Sequence, residues 1–272
     1  FTAFSPDAGT VERDSDLITY VGLEPITDNT STTDRVIGMS NDADTDAVLT
    51  GTATTMTLDG STFEGITFLN PSSSLTIQGL DGEDTITINS FSSGFMGDLT
   101  IEAEHIVVSS AATINTAGNV TLRAAAQNSG STVMSASVSV EGSITAAALE
   151  ISAATDGSIT LGSSTDLVAT NTYAESATAT ISGGTINANS LVLSATTSTD
   201  YTATAFAAQN VITGAVTASI ENSSSVTTSG AVSVSATDES FLTASAPERL
   251  IDVSGGLPAS VEIAAARNSL TR

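Results

Sequence analysis

Six short segments share one pattern of apolar and polar positions: LTIEAE (99–104), VTLRAA (120–125), LEISAA (149–154), LVLSAT (191–196), VSVSAT (232–237) and VEIAAA (261–266). Alternate residues are apolar, the period of a strand with one buried face. The pattern predicts that Leu191, Leu193 and Ala195 point inward while Val192 and Ser194 point out. The third inward position is small, as at Ala103, Ala124, Ala153, Ala236 and Ala265. A small residue there fits a chain that turns a corner into a crowded core. Four segments have a leader just upstream, in TINTAGNVTL (113–122), SITAAALEI (143–151), TINANSLVL (185–193) and SVTTSGAVSV (225–234). Its apolar residue is Ile114, Ile144, Ile186 or Val226. Two short strands joined by a tight turn thus recur as a unit.

The segments start at 99, 120, 149, 191, 232 and 261, so the steps are 21, 29, 42, 41 and 29 residues. A repeat of about 20 residues is the size of one stacked β-coil. The two long steps are expected to hold two coils each, with ATATI (177–181) and VTASI (216–220) supplying the extra turns. A lone coil cannot bury its apolar residues, whereas coils paired in parallel can. The predicted fold is all-β, a right-handed parallel β-helix (β-solenoid) of stacked coils of about 20 residues. Roughly ten coils at about 4.8 Å each would make a body on the order of 50 Å long. An antiparallel β-sandwich is the competing architecture, but sandwiches lack such self-similarity and carry more aromatic core.

Charge narrows the possible partners. Thirty acids stand against six Arg, with no Lys, giving a formal charge of −24. No Arg occurs between Arg123 and Arg249. Nucleic acid requires a basic footprint, and anionic membrane surfaces repel such a chain. No apolar run is long enough to span a bilayer, so membrane insertion is not expected. Divalent cations are the natural counterions. A hydrophobic fraction of 40% and regularly spaced Val, Ile and Leu argue against disorder.

Two acidic stretches are candidate cation sites. GLDGEDTIT (79–87) nearly matches the calcium nonapeptide G-G-x-G-x-D-x-U-x, with Leu80 in place of the second Gly. Asp81, Glu83 and Asp84 are the candidate calcium ligands, and calcium is the only cofactor considered. A calcium roll needs consecutive nonapeptides, and this chain has one clear copy. The stretch therefore reads first as a β-turn at Asp81-Gly82, between LTI (75–77) and ITI (86–88). In NDADTDA (41–47), Asp42, Asp44 and Asp46 alternate, but the Gly and Glu of an EF-hand loop are missing, so a solvated acidic loop is expected. His105 is the only His, beside Glu102 and Glu104. A neighbouring carboxylate would raise its pKa, but it reads as surface decoration. There is no Cys, no G-x-S-x-G elbow and no Lys for a phosphate loop, so no catalytic residues are assigned.

TINTAGNVTLRAA and TINANSLVLSA resemble the repeats of filamentous-haemagglutinin-like bacterial exoproteins. The resemblance covers roughly residues 99–270 and implies a secreted surface fibre with a right-handed parallel β-helix. Upstream, YVGLEPITDN (20–29), GITFLN (65–70) and SLTIQGLDGEDTITINSF (74–91) resemble modules of giant bacterial surface proteins. The expected organisation is an acidic N-terminal cap or linker over 1–45 and a β-solenoid over 46–272. The latter divides into a calcium-nonapeptide-like module (46–98) and haemagglutinin-like repeats (99–272). The expected function is that of a structural component of a bacterial extracellular fibre, filament or adhesin, a rigid acidic rod at the cell surface. Its partners would be itself, stacked end to end, together with divalent cations or surface glycans. The alternative is a β-helical polysaccharide lyase or hydrolase, which needs clustered carboxylates. The last segment, VEIAAARNSLTR, repeats the core pattern up to Arg272, as expected of a piece of a longer solenoid or an end that stacks on another subunit.

Overall fold

The computed structural model describes residues 1–5, 7–13, 16–22, 25–127, 133–161, 168–205, 207–246, 251–252, 260–261 and 265–271. They form strands and no helix. At the N-terminal end come β1 (Thr2–Ser5), β2 (Ala8–Arg13), β3 (Asp16–Val21), β4 (Ile26–Asp28) and β5 (Asp34–Gly38). β6 (Ala47–Gly51), β7 (Thr55–Asp59) and β8 (Ile66–Leu69) follow. Next are β9 (Ser74–Gln78), β10 (Thr85–Ile88), β11 (Asp98–Ala103), β12 (His105–Val108), β13 (Thr113–Asn115), β14 (Val120–Gln127) and β15 (Val133–Val140). The long strands are β16 (Ser143–Leu161), β17 (Val168–Ser182), β18 (Thr185–Thr204) and β19 (Ala207–Glu221). β20 (Ser225–Thr228), β21 (Val232–Asp238), β22 (Phe241–Ser245), β23 (Ile251–Asp252), β24 (Ser260–Val261) and β25 (Ala265–Thr271) complete the chain.

From β9 onward the chain alternates between two sheets. Sheet A takes β5, β9, β11, β14, β16 and β18, with β20, β21 and β22 along its last edge. Sheet B takes β6, β10, β12, β15, β17, β19 and β25. Within these rows every pairing is parallel, and like residues stack on like. Leu99 pairs with Val120, Val120 with Leu149, Leu149 with Leu191 and Leu191 with Val232. The small column is continuous through Ala103, Ala124, Ala153, Ala195 and Ala236. The leaders stack as well, Ile114 on Ile144 on Ile186 on Val226. Leu191, Leu193 and Ala195 are buried, and Val192 is exposed, as the alternation predicts. Ile and Leu from both sheets meet in one core, including Ile101 and Leu122 from sheet A and Ile106 and Val138 from sheet B.

Three expectations are corrected. The long steps are single coils, because Leu149 bonds directly to the Leu191 row and Leu191 to the Val232 row. ATATI and VTASI lie in β17 and β19 and pair with each other in sheet B. The extra residues lengthen the strands, from 5 in β9 to 20 in β18, so they add breadth instead of turns. Seven parallel rungs, β5 to β21, therefore stand where about ten coils were expected. The 15 residues of β17 span about 50 Å at ~3.3 Å each, as much as the whole ten-strand path of sheet A from β3 to β20, which rises on the order of 45 Å. The sixth segment is no sixth rung: Ser260–Val261 pairs antiparallel with Ile251–Asp252, and Ala265–Ala266 join sheet B beside Ala207–Ala208. Residues 262–264 lie outside the described residues.

The parallel stack begins at β5, inside the expected N-terminal cap. Ahead of it β1, β2 and β3 run antiparallel and extend sheet A. β7 and β8 form an antiparallel excursion in sheet B, and β4 lies beside β8. Arg35, buried on β5, holds Asp28 of β4 at 2.7 Å and lies over the Phe68 ring, tying the two sheets at this end.

Leu193→Ala removes a fully buried side chain and should cost about 2–5 kcal/mol. Val192→Ala, one residue away and facing out, should stay within about 0.5 kcal/mol. Urea denaturation of the two variants checks this, and equal losses would contradict the inward–outward assignment.

Candidate functional site

The chain passes from sheet A to sheet B at the same corner in successive coils: 39–46 between β5 and β6, 79–84 between β9 and β10, and Glu104 alone between β11 and β12. A carboxylate sits in each. Asp44 and Asp84 are fully buried and Glu104 is 9% exposed. They form a ladder through the backbone. The Asp44 N–H donates to Asp84 Oδ1 at 2.8 Å, and the Asp84 N–H donates to Glu104 Oε2 at 3.0 Å. Their carbonyls continue the ladder, accepting from Thr85, His105 and Ser137 N–H groups. Asp44 is well satisfied, taking the Ser40 N–H at 3.0 Å and the hydroxyls of Ser40 and Thr62. Asp84 Oδ2 has no partner.

The corner geometry explains the glycine motif without an ion. Asp84 Oδ2 lies 2.4 Å from where a Cβ on Gly79 would stand, so only glycine lets this carboxyl fold in. Gly82 has φ +134°. Leu80, in place of the motif's second Gly, still adopts φ +77°, a left-handed conformation that costs an L-residue about 1–2 kcal/mol. Asp81 and Gly82 form the expected turn, though as a corner between two sheets and not a hairpin.

Burial sets the electrostatics. It pushes Asp84 up to about 6, helped by the charges of Asp44, Glu83 and Asp81 and opposed by the Asp44 N–H. Burial likewise pushes Glu104 up to about 7, reinforced by Asp84 and Glu83 and opposed by the Asp84 N–H. The His105 pKa is lowered, because burial outweighs the attraction of Glu83. Its carboxylate neighbour is Glu83, 3.9 Å from Nε2, rather than the sequence neighbours Glu102 and Glu104. Nδ1 meets the Ser137 hydroxyl at 2.8 Å.

The three candidate calcium ligands are not brought together. Asp81 is exposed, Glu83 is half-exposed beside His105, and Asp84 turns into the core. Among the described residues no three Asp, Glu or His side chains form a group that could hold a metal. The 41–47 run is a loop with Asp42 and Asp46 exposed, but Asp44 is a buried corner residue and not part of a solvated surface. The roles of Asp44 and Glu104 were missed in the sequence. A signal was present: an acid stands immediately before an alternating apolar strand in DTITI (84–88) and EHIVV (104–108).

A second buried acid lies in the broad coils. Glu175 of β17 accepts the hydroxyls of Thr155 and Thr199, each at 2.7 Å, and of Ser240 at 3.2 Å. With Thr197 it forms a polar layer between the main core and a separate cluster of Met134, Ile159, Tyr201 and Ile212. On the outer face of sheet A, Gln78, Glu102, Glu104 and Arg123 line a groove of about 570 Å³. There Arg123 and Gln78 both bond Glu102 at 3.0 Å. The chain matches no protein-family model, no curated protein and no solved structure.

The raised carboxylates fix the sign of a pH dependence. The folded chain holds protons on Asp84 and Glu104 that the unfolded chain, at 3.8 and 4.5, has released. Their stabilisation is complete below the unfolded values and is lost as pH rises through about 6 and about 7. His105 opposes it below 6.5. Net stability should therefore rise on the order of 2–4 kcal/mol between pH 8 and pH 5. Asp84→Asn should stabilise the chain at pH 8 and roughly halve that slope. Melting temperatures across this range decide it; a flat or opposite trend contradicts the burial argument.

Proposed function

We propose that this chain is a stretch of right-handed parallel β-solenoid from a bacterial extracellular structural protein, a fibre, filament or adhesin of the kind its repeats resemble. The observation that carries this reading is the in-register stacking of like residues through consecutive rungs, with the chain alternating between two sheets. Right-handedness follows the general preference of parallel crossovers. Each coil closes its neighbours' backbone hydrogen bonds and buries their apolar residues, so stiffness is a property of the stack. The task of such a body is mechanical. It holds what precedes and follows it at a fixed separation, and its carboxylates keep neighbouring fibres apart or let divalent cations bridge them. Further coils, in the same polypeptide or in another copy, are the natural partners of its ends, with surface glycans as further candidates.

The groove beside Arg123 is the one feature that favours the alternative, a polysaccharide-active enzyme, since it holds Glu102 and Glu104. Burial, with the charges of Asp84 and Glu83, accounts for the raised pKa of Glu104, however, and an Arg and a Gln occupy Glu102. The structural reading is simpler.

Electron microscopy of the purified chain, with calcium and with chelator, tests the proposal. Discrete particles on the order of 45 Å along the stack in both conditions are expected of a solenoid segment. Filaments many times longer would make the chain an end-to-end assembly subunit, and their loss in chelator would restore a calcium role for Asp81 and Glu83. Particles lacking the 4.8 Å strand repeat in fibre or two-dimensional averages would overturn the solenoid.

A further inference from the structure

The two outer faces differ in charge. Sheet A presents Asp98, Glu102, Glu150, Asp156 and Asp200 outward, with Arg123 as the cation among them. The outward positions of β10, β12, β15, β17 and β19 in sheet B alternate with the buried ones and are Thr, Ser, Ala and Val, with His105 and Gln209. Within these strands no carboxylate faces out until Glu221, at the end of β19; Glu83, beside His105, and Glu141, just after β15, lie at the rim. The nearest acid inside it, Glu175, points into the core. In a chain of net charge −24, an acid-free face five strands wide stands out.

We propose that this face is a self-association surface, on which two copies of the chain pack sheet B against sheet B. Charge selects the partner. Packing sheet A on sheet A sets the carboxylates of two copies against each other, whereas this pairing leaves them on the outer sides, beyond a Debye length of about 8 Å. The hydroxyls are already partly paired along the stack, Ser135 with Ser176 at 3.2 Å and Thr180 with Ser219 at 3.3 Å, which lowers the cost of taking them out of water. Strands of 4–15 residues across five rungs make a patch on the order of 700 Å², close to the ~800 Å² each partner contributes to an ordinary stable interface. A neutral glycan suits the face less well, because none of the described outward residues of sheet B is aromatic and sugars would find no ring to stack on. The isologous pairing of one face with itself closes at two copies. The biological sense of the pairing rests on the structural reading above, but its test is separate.

Sedimentation equilibrium of the intact chain at physiological salt should give twice 27.2 kDa at tens of micromolar, with tighter pairing as salt rises. Ser139→Asp combined with Thr180→Asp puts two charges side by side on the face and should weaken the dimer at least tenfold. Ser152→Asp combined with Ser194→Asp, on the outer face of sheet A, should leave it unchanged. Since the chain has no Cys, Ser139→Cys and Ser194→Cys offer a second readout that needs no added charge. A short bis-maleimide should link copies through position 139 and not through 194. A monomer at all concentrations overturns the proposal whatever the particle length, as do equal dimers in both charge variants. A monomer that sediments with an insoluble neutral glucan overturns it in favour of a glycan surface.

Discussion

The structure depends on one constraint: in a parallel stack, each strand must hydrogen-bond two neighbours in a register that keeps every inward side chain over its counterpart. A slip of one residue would turn Leu191 and Leu193 outward and bring Val192 and Ser194 into the core. The ladder therefore selects like on like, and the Leu, Ile and Ala columns are its consequence. It also fixes where the chain can turn. Once Asp84 ends the coil at one corner, the Glu104 coil above must turn there too, or its backbone donors lose their acceptors. The buried acids are the pieces that meet this demand: Asp84 and Glu104 each receive a backbone N–H from the coil beside it, and Asp44 supplies the first of these donors.

Why an acid, when an uncharged acceptor would avoid the desolvation? A carboxylate at a bend offers two oxygens: those of Asp44 take the Ser40 N–H of its own turn and the Thr62 hydroxyl of the β7–β8 loop, while its own N–H reaches Asp84 on the next coil. At Asp84 the second oxygen has no such donor, and burial, with the neighbouring carboxylates, pushes its pKa up. The broad coils abandon the device. The row that holds Asp84 and Glu104 continues as Ala136 and Ala177, because the strands no longer turn there. The corner has moved outward and a second apolar cluster fills the added breadth.

The alternating segments and their leaders were readable because period-two burial is a local property: five of the six segments, and all four leaders, stack in the predicted order. The breadth of the coil was not readable. A 42-residue step admits two narrow coils or one broad one, and both satisfy the same alternation. The choice rests on whether Thr155, Thr197 and Glu175 can sit inside, and each looks like a surface residue until its hydroxyl or carboxylate partner across the core is known. Asp44 and Asp84 misled in the opposite direction. Acid-rich turns usually mean solvent or calcium, and only the cross-coil backbone donors identify these two as interior.

The polar layer around Glu175 carries the argument one step further. It stands where the Ala column would otherwise let two hydrophobic clusters merge, and it is saturated with hydroxyl donors, so it costs far less than an unpaired buried charge. An apolar substitute of similar volume would bury as much surface. It would not tell the chain which of several equivalent alternating registers to adopt. In long strands built largely of Ser, Thr, Ala and Val, the hydrophobic pattern repeats every two residues and discriminates poorly between slips of two. A single carboxylate that must meet Thr155 on one coil and Thr199 on the next breaks that degeneracy. The acid ladder sets the turn of the narrow coils, and Glu175 sets the register of the broad ones. In both, a buried acid specifies position where hydrophobic burial alone leaves several equivalent answers.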